Sequence, residues 1–260
     1  MVRHDGAALE RPSARRPVPG PVLFGRYAFG PNRLGYCGTD DHAALLGHAA
    51  AEDDSELRRL AVTFDGAYPY LELIARANGL ADPLDARVVE AYWIGNDLTA
   101  AVAPSSLHRS LDERFRPRVN RATWRWLEAS VPAGARPVHA FHVLDVFPRI
   151  GLLRGGQVND VLKAIDACRI RWGRVASVDE GTLTVDAPAL ELVDGKLCIG
   201  PPHGEVVERW IDGIGFVDDV RPGDVISLHW GWACDRLTAR QYANLAAWTE
   251  FELGVANGAW

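Results

Sequence analysis

Apolar positions along the chain recur with two different periods. From about residue 40 to 165 they repeat every three to four positions, the spacing of one helix face. From residue 168 onward they alternate, the spacing of a half-buried strand, until a last run regains the helical period. The pattern predicts an α+β protein. An N-terminal all-α domain (25–166) is followed by a small β-barrel domain with a C-terminal helix (167–260), and residues 1–24 form a disordered leader.

In the helical part, Leu57, Leu60 and Ala61 mark one apolar face. Asp65-Gly66 interrupts it, Tyr70, Leu71, Ile74 and Ala75 resume it, and Asn78-Gly79 supplies a stop. Pro83 opens a helix from Leu84 to Ile94. Further helices run from about Ser106 to Phe115, around Trp124, Trp126 and Leu127, and from Val158 to Asp166. The stretch Arg26–Asp41, rich in Gly, Pro and Asn, reads as irregular. Thr39, Asp40 or Asp41 caps the helix after it, through Leu46 and Ala50. Cys37 then lies just ahead of a helix N-terminus, where the dipole favours a thiolate. The competing reading is a loop cysteine packed against Tyr36.

In the alternating part, Ile170–Val178 is a strand, Asp179–Gly181 a turn and Thr182–Asp186 a strand. Asp194-Gly195 joins Leu190–Val193 to Lys196–Ile199 as a hairpin. Glu205–Trp210 and Ile214–Phe216 add strand, Arg221-Pro-Gly-Asp224 is a turn, and Val225–Trp230 a strand. Thr238 caps the final helix, Ala239–Leu253, with Tyr242, Leu245, Ala246, Thr249 and Leu253 on one stripe.

Charge and cysteine usage narrow the class. A net charge of −6 argues against a nucleic-acid partner. No apolar run reaches the roughly 18 residues of a membrane span. The first residues lack the apolar core of a secretory signal. Cys37, Cys168, Cys198 and Cys234 form no CxxC pair, so reduced thiols and a cytoplasmic location are expected.

The chemistry-bearing residues fall into three groups. Cys168 opens the first strand and His229 ends a late one. Neighbouring strands of a barrel would bring that thiol and imidazole together as a metal-binding pair. Arg169 and Arg171 would favour the thiolate. In the second group, His139 and His142 share one face if helical, with Asp145 three residues on; with Cys37 they form a candidate catalytic or metal set. The third is aromatic: Trp172, Trp230 and Trp232 cluster near the Cys/His pair as candidate cofactor contacts. Trp230 and Trp232, two apart on one strand, would face away from His229 and offer a docking surface. Packing of the barrel is the plainer role for those tryptophans.

The residues Cys168, Gly173-Arg-Val175, Val220-Arg-Pro-Gly-Asp224, Val225, His229-Trp-Gly231 and Ala233 resemble the pattern of the HypC family of [NiFe]-hydrogenase assembly chaperones. The resemblance covers about 168–253 and implies an OB-like barrel. It also implies iron carried as an Fe(CN)2CO unit, with the positions of Cys168 and His229 as the functional pair. The implied partners are the hydrogenase large subunit and other maturation proteins. In that family the cysteine follows the initiator methionine and Pro precedes Gly-Arg-Val; here Cys168 is internal and Trp172 precedes. The whole chain also looks like an uncharacterised actinobacterial-type family with Tyr-Cys-Gly near its start and Phe-His-Val in its middle.

Three functions follow as expectations: a hydrogenase accessory factor using Cys168 and His229, a metal- or cysteine-dependent enzyme using Cys37, His139 and His142, and a non-catalytic docking module.

Overall fold

The computed structural model describes residues 17–51, 55–149 and 158–258. Most of the expected leader lies outside them, but its last residues do not: helix α1 (Gly20–Arg33) begins there. Val22, Leu23, Phe24, Tyr27, Ala28 and Phe29 are all buried. The segment read as irregular from Arg26 is therefore helical as far as Arg33. Its glycines serve close packing rather than turns. A Cβ at Gly30 would lie 2.2 Å from the carbonyl oxygen of His229, and one at Gly25 would lie 2.6 Å from the Cβ of Ala49. Pro21 sits in the first turn, where no intrahelical donor is lost. Burial on nearly every side outweighs the weak local propensity.

The helices that surround α1 follow the sequence pattern. They are α2 (His42–Ala50), α3 (Ser55–Val62), α4 (Tyr68–Ala77), α5 (Ala86–Trp93), α6 (Asp97–Ala100), α7 (Pro104–Phe115) and α8 (Arg121–Ala129). Asp41 caps α2 by accepting from the Ala44 amide at 2.9 Å. Asn78 ends α4 and Gly79 takes φ +67°. A short helical stretch, His139–Arg149, contains a π-turn at His142–Val146. α9 (Val158–Cys168) then leads into the sheet.

Strands β1 (Arg171–Val178), β2 (Thr182–Val193), β3 (Lys196–Glu208), β6 (Val225–His229) and β7 (Trp232–Arg236) close in the order β1-β2-β3-β7-β6. β4 (Trp210–Ile211) and β5 (Ile214–Gly215) pair separately. Where four short strands were expected (Thr182–Asp186, Leu190–Val193, Lys196–Ile199 and Glu205–Trp210), β2 and β3 form one long hairpin across Pro188 and Pro202, with an irregularity between Pro188 and Leu190. Asp194 (φ 51°) and Gly195 (φ 76°) make its turn, as the Asp-Gly pair predicts. Its outer half is gripped by helices. Asp166 of α9 accepts from the Leu190 amide, and Asn257 bonds both the amide and carbonyl of Leu197. Asn257 belongs to α10 (Ala239–Gly258), capped by a reciprocal Thr238–Gln241 pair.

Val175, Leu183, Val185, Val207, Ile226 and Leu228 fill the ring of strands. A larger core joins α1, the other helices, α10 and the outer face of the strands, including Trp232 and Cys234. Helical and sheet-rich parts thus share one apolar interior.

Candidate functional site

Two features of the strands place the Cys/His pair. β1 and β6 are antiparallel, with Arg171 opposite Leu228, so the residues just before β1 lie beside the end of β6. The Trp230 amide then donates to the Ala167 carbonyl at 2.9 Å. Cys168 and His229 meet as a result, and His139 arrives from the helical side. One ligand atom from each of the three lies within 4.8 Å of the others.

The two candidate sites read from the sequence are one site. A cavity of about 830 Å³ is lined by Cys168 and His229 and also by Cys37, His139, His142 and Trp230. It lies between the helical layer and the β6–β7 turn. The i,i+3 relation of His139 and His142 is carried by the start of the π-turn, and their rings lie 6.4 Å apart between centroids. π-turns recur at functional sites because they re-aim side chains within a helix. Asp145 is buried and is not among the cavity residues.

His229 is the best-defined donor. Its Nδ1 lies 2.6 Å from the Tyr27 carbonyl oxygen, so Nδ1 carries the hydrogen and Nε2 the lone pair. Nε2 is buried with no hydrogen-bond partner. Burial pushes the imidazole down to about 4, against smaller upward pulls from carbonyl contacts, so it is neutral at pH 7. His139 is held at both nitrogens: Nε2 donates to the Cys168 carbonyl at 2.9 Å and Nδ1 meets the Tyr92 hydroxyl at 3.1 Å. Burial, with His229 and His142 nearby, lowers it well below the ordinary histidine range. His142 contacts the Tyr70 hydroxyl at 3.4 Å and is pushed down to about 3 by burial and by Arg114.

The thiols differ from expectation. Burial raises Cys168 to about 12, against a smaller pull down from the Trp230 indole. Arg169 and Arg171 do not favour its thiolate. Arg169 pairs with Asp166 and donates to the Pro188 carbonyl, and Arg171 pairs with Glu205. Cys37 is likewise raised to about 12 by burial and by Cys168, so the helix dipole does not give it a thiolate. The residue as a whole is exposed at the cavity rim, and the desolvation acts on its thiol where Cys37 lines the cavity. Asn32, buried at the end of α1, fixes that loop by donating to the carbonyls of Cys37 and Thr39, each at 2.7 Å.

The tryptophans separate. Trp230 and Gly231 have φ of 52° and 73° and form the β6–β7 turn, so Trp230 and Trp232 do not share a strand. Trp230 stacks on Tyr36 at 4.2 Å and lines the cavity. Trp232 is wholly buried against Phe29 and Phe216 and offers no docking surface. Trp172 packs with Tyr242 and Arg169, outside the cavity lining. The pattern reading missed Trp93, which lies against both His139 (4.7 Å) and His229 (5.7 Å), and Arg114, a cavity cation.

The donor set suits a transition metal. Two neutral imidazoles and a thiol match zinc or iron(II), and three protein donors leave a coordination position for another molecule. The orphaned Nε2 of His229 is the observation that fits; Cys168 would bind after losing its proton.

Fold and site together define an α+β protein with a buried His/Cys/His cluster beside a closed ring of strands. The chain belongs to a family of unknown function, DUF6390, whose pattern matches residues 16–260. No curated protein and no solved structure matches the chain significantly.

Proposed function

We propose that this protein is a metal-dependent enzyme. One zinc or iron ion would bind Cys168, His229 and His139 and act on a small molecule held in the cavity. The carrying observation is the convergence of the three donors within 4.8 Å, with His229 Nε2 buried and unpartnered. A cavity of about 830 Å³ is in the size range of small-molecule sites, and its placement between layers is typical of them. The chain's own residues have clear tasks. The Tyr27 carbonyl orients His229, the Cys168 carbonyl orients His139 by accepting from Nε2 and so leaves Nδ1 as the donor to the ion, and the Tyr36–Trp230 stack covers one side. When bound, the ion would polarise or activate a group presented to its open position. The test is metal titration of the purified full chain, with cobalt(II) as a spectroscopic stand-in. One equivalent with thiolate-to-metal absorption is expected, lost in Cys168→Ser. Absence of tight binding of zinc, iron and cobalt would overturn the reading.

A second reading is favoured by the pairing of Cys168 with His229, as the HypC resemblance implies. In it the ring of strands is an OB-like, HypC-like barrel. The ion is iron with cyanide and carbonyl ligands, passed to or from the hydrogenase large subunit or its maturation partners. Cyanide and carbonyl infrared bands on protein from hydrogenase-expressing cells would support it over the first reading. For either, free cysteines throughout suit the cytoplasm.

A further inference from the structure

The cavity has a second pole. Arg114, near the end of α7, lines it on the side of His142. Its guanidinium lies close to two rings, 4.5 Å from the centroid of Tyr70 and 4.8 Å from that of Phe115. One end of the fork is anchored, since Nη2 donates to the Asp65 carbonyl at 3.0 Å. The other end is not: Nη1 is buried without a hydrogen-bond partner. Arg114 forms no ion pair among the described residues, and neither do Arg118 and Lys163, which also line the cavity. Among the described residues of the lining Asp65 is the one acid, and its side chain is not what holds Arg114.

A buried guanidinium edge without an acceptor is costly, and each such group calls for an explanation. The two ring contacts and the Asp65 carbonyl bond restrict the fork, so less entropy is lost when an acceptor arrives. Carboxylate and phosphate oxygens match that edge. The rest of the lining is largely apolar, with Phe64, Tyr92, Trp93 and Phe147 among it. Passing from Arg114 toward the donors, one meets His142, then His139, then Cys168 and His229.

We propose that the cavity binds a small molecule with an acidic group, carboxylate or phosphate, on an apolar or aromatic body. Arg114 holds the acid and the opposite end faces the His139–Cys168–His229 cluster. This deepens the enzyme reading by naming its substrate class, and it rests on that reading for the reacting end alone.

The test uses the metal-free full chain, so that it fails or succeeds separately from the metal reading. Benzoate, phenyl phosphate and the neutral benzyl alcohol are titrated at pH 7 by calorimetry and by tryptophan fluorescence, since Trp93 and Trp230 line the cavity. An anionic probe should bind at least about tenfold more tightly than the alcohol. Whether benzoate or phenyl phosphate is preferred identifies the acid. Arg114→Gln should abolish that preference, Arg114→Lys should restore part of it, and both should keep wild-type circular dichroism and metal stoichiometry. Equal binding of acid and alcohol, no binding of any probe at millimolar concentration, or an unchanged preference in folded Arg114→Gln would each overturn the proposal.

Discussion

The Tyr27 carbonyl holds His229 from behind, accepting from its Nδ1 at 2.6 Å, so Nε2 faces the cluster with its lone pair free. The two residues are 202 positions apart. A histidine so oriented is prepared to bind a metal without rearranging, as second-layer hydrogen bonds to ligating imidazoles do elsewhere.

His229→Ala and Cys168→Ser should therefore remove most of the metal affinity, each by more than about 100-fold, since disturbing the supporting layer alone typically costs 10–100-fold. Competition titration against a chromophoric chelator measures this. Wild-type affinity in either variant would remove that residue from the site.

His139 should matter less, because it must release one of two existing hydrogen bonds to bind. Tyr92→Phe frees Nδ1 of that competition. Its expected effect is tighter metal binding, by a few-fold, whereas His139→Ala weakens it. Tyr92 is wholly buried, so thermal denaturation of the same variants checks that the fold survives. Weaker binding in folded Tyr92→Phe would mean that the hydroxyl supports the ligand rather than competes for it.

Glu252 predicts an alkaline weakness. Its carboxyl is buried, Oε1 accepts from the Arg136 amide at 3.0 Å, and Oε2 has no hydrogen-bond partner. Burial raises it from 4.5 to about 8, with Arg136 pulling modestly the other way. The folded state thus holds a proton that the unfolded chain releases. The stability tied to that proton is fully present below about 4.5 and is lost as pH rises through about 8. Glu252→Gln should flatten the decline between about pH 4.5 and 8, by an amount on the order of a few kcal/mol over that whole window. Denaturant midpoints at several pH values measure it; an unchanged slope would refute the assignment.

Gly30→Ala should damage the site from a distance. The added methyl would lie 2.2 Å from the His229 carbonyl oxygen, a backbone atom that cannot swing aside. A loss on the order of 1–3 kcal/mol is expected, together with weaker metal binding. Undisturbed melting and binding would show that α1 is free to move.

Trp230→Ala and Trp232→Ala should behave oppositely. Trp232 is a core residue, and its truncation should cost about 3–5 kcal/mol. Trp230 covers the cavity with Tyr36, so its loss should alter probe binding and leave stability nearly unchanged. Similar melting temperatures for the two variants would contradict this division.

Where the sequence was legible, a local period carried it. Alternation through Val175 and Thr182–Asp186 and the Asp194-Gly195 turn located strands and a hairpin. The proximity of Cys168 and His229 followed because adjacent barrel strands leave few other registers. α1 was opaque because its glycines and prolines mimic a loop, and only the surfaces around it reveal why small residues stand there. Trp230 was misplaced because a non-glycine residue with φ of 52° carries no local signal of a turn, even with Gly231 beside it. His139 appeared as a partner of His142, and its place by Cys168 depends on a hydrogen bond spanning 29 positions. Arg114 was invisible as a site residue, since one arginine on a helix looks like any solvated charge until Tyr70 and Phe115 close around it.

The seat of α1 bears on biosynthesis. Residues 20–33 leave the ribosome long before the strands at 225–236 that they finally touch. Until then an oily rod of fourteen residues has only part of its company. Nascent chains halted before the last strands should accordingly recruit chaperones or aggregate, and maturation should be completed late, with sheet closure rather than helix growth as its slow event.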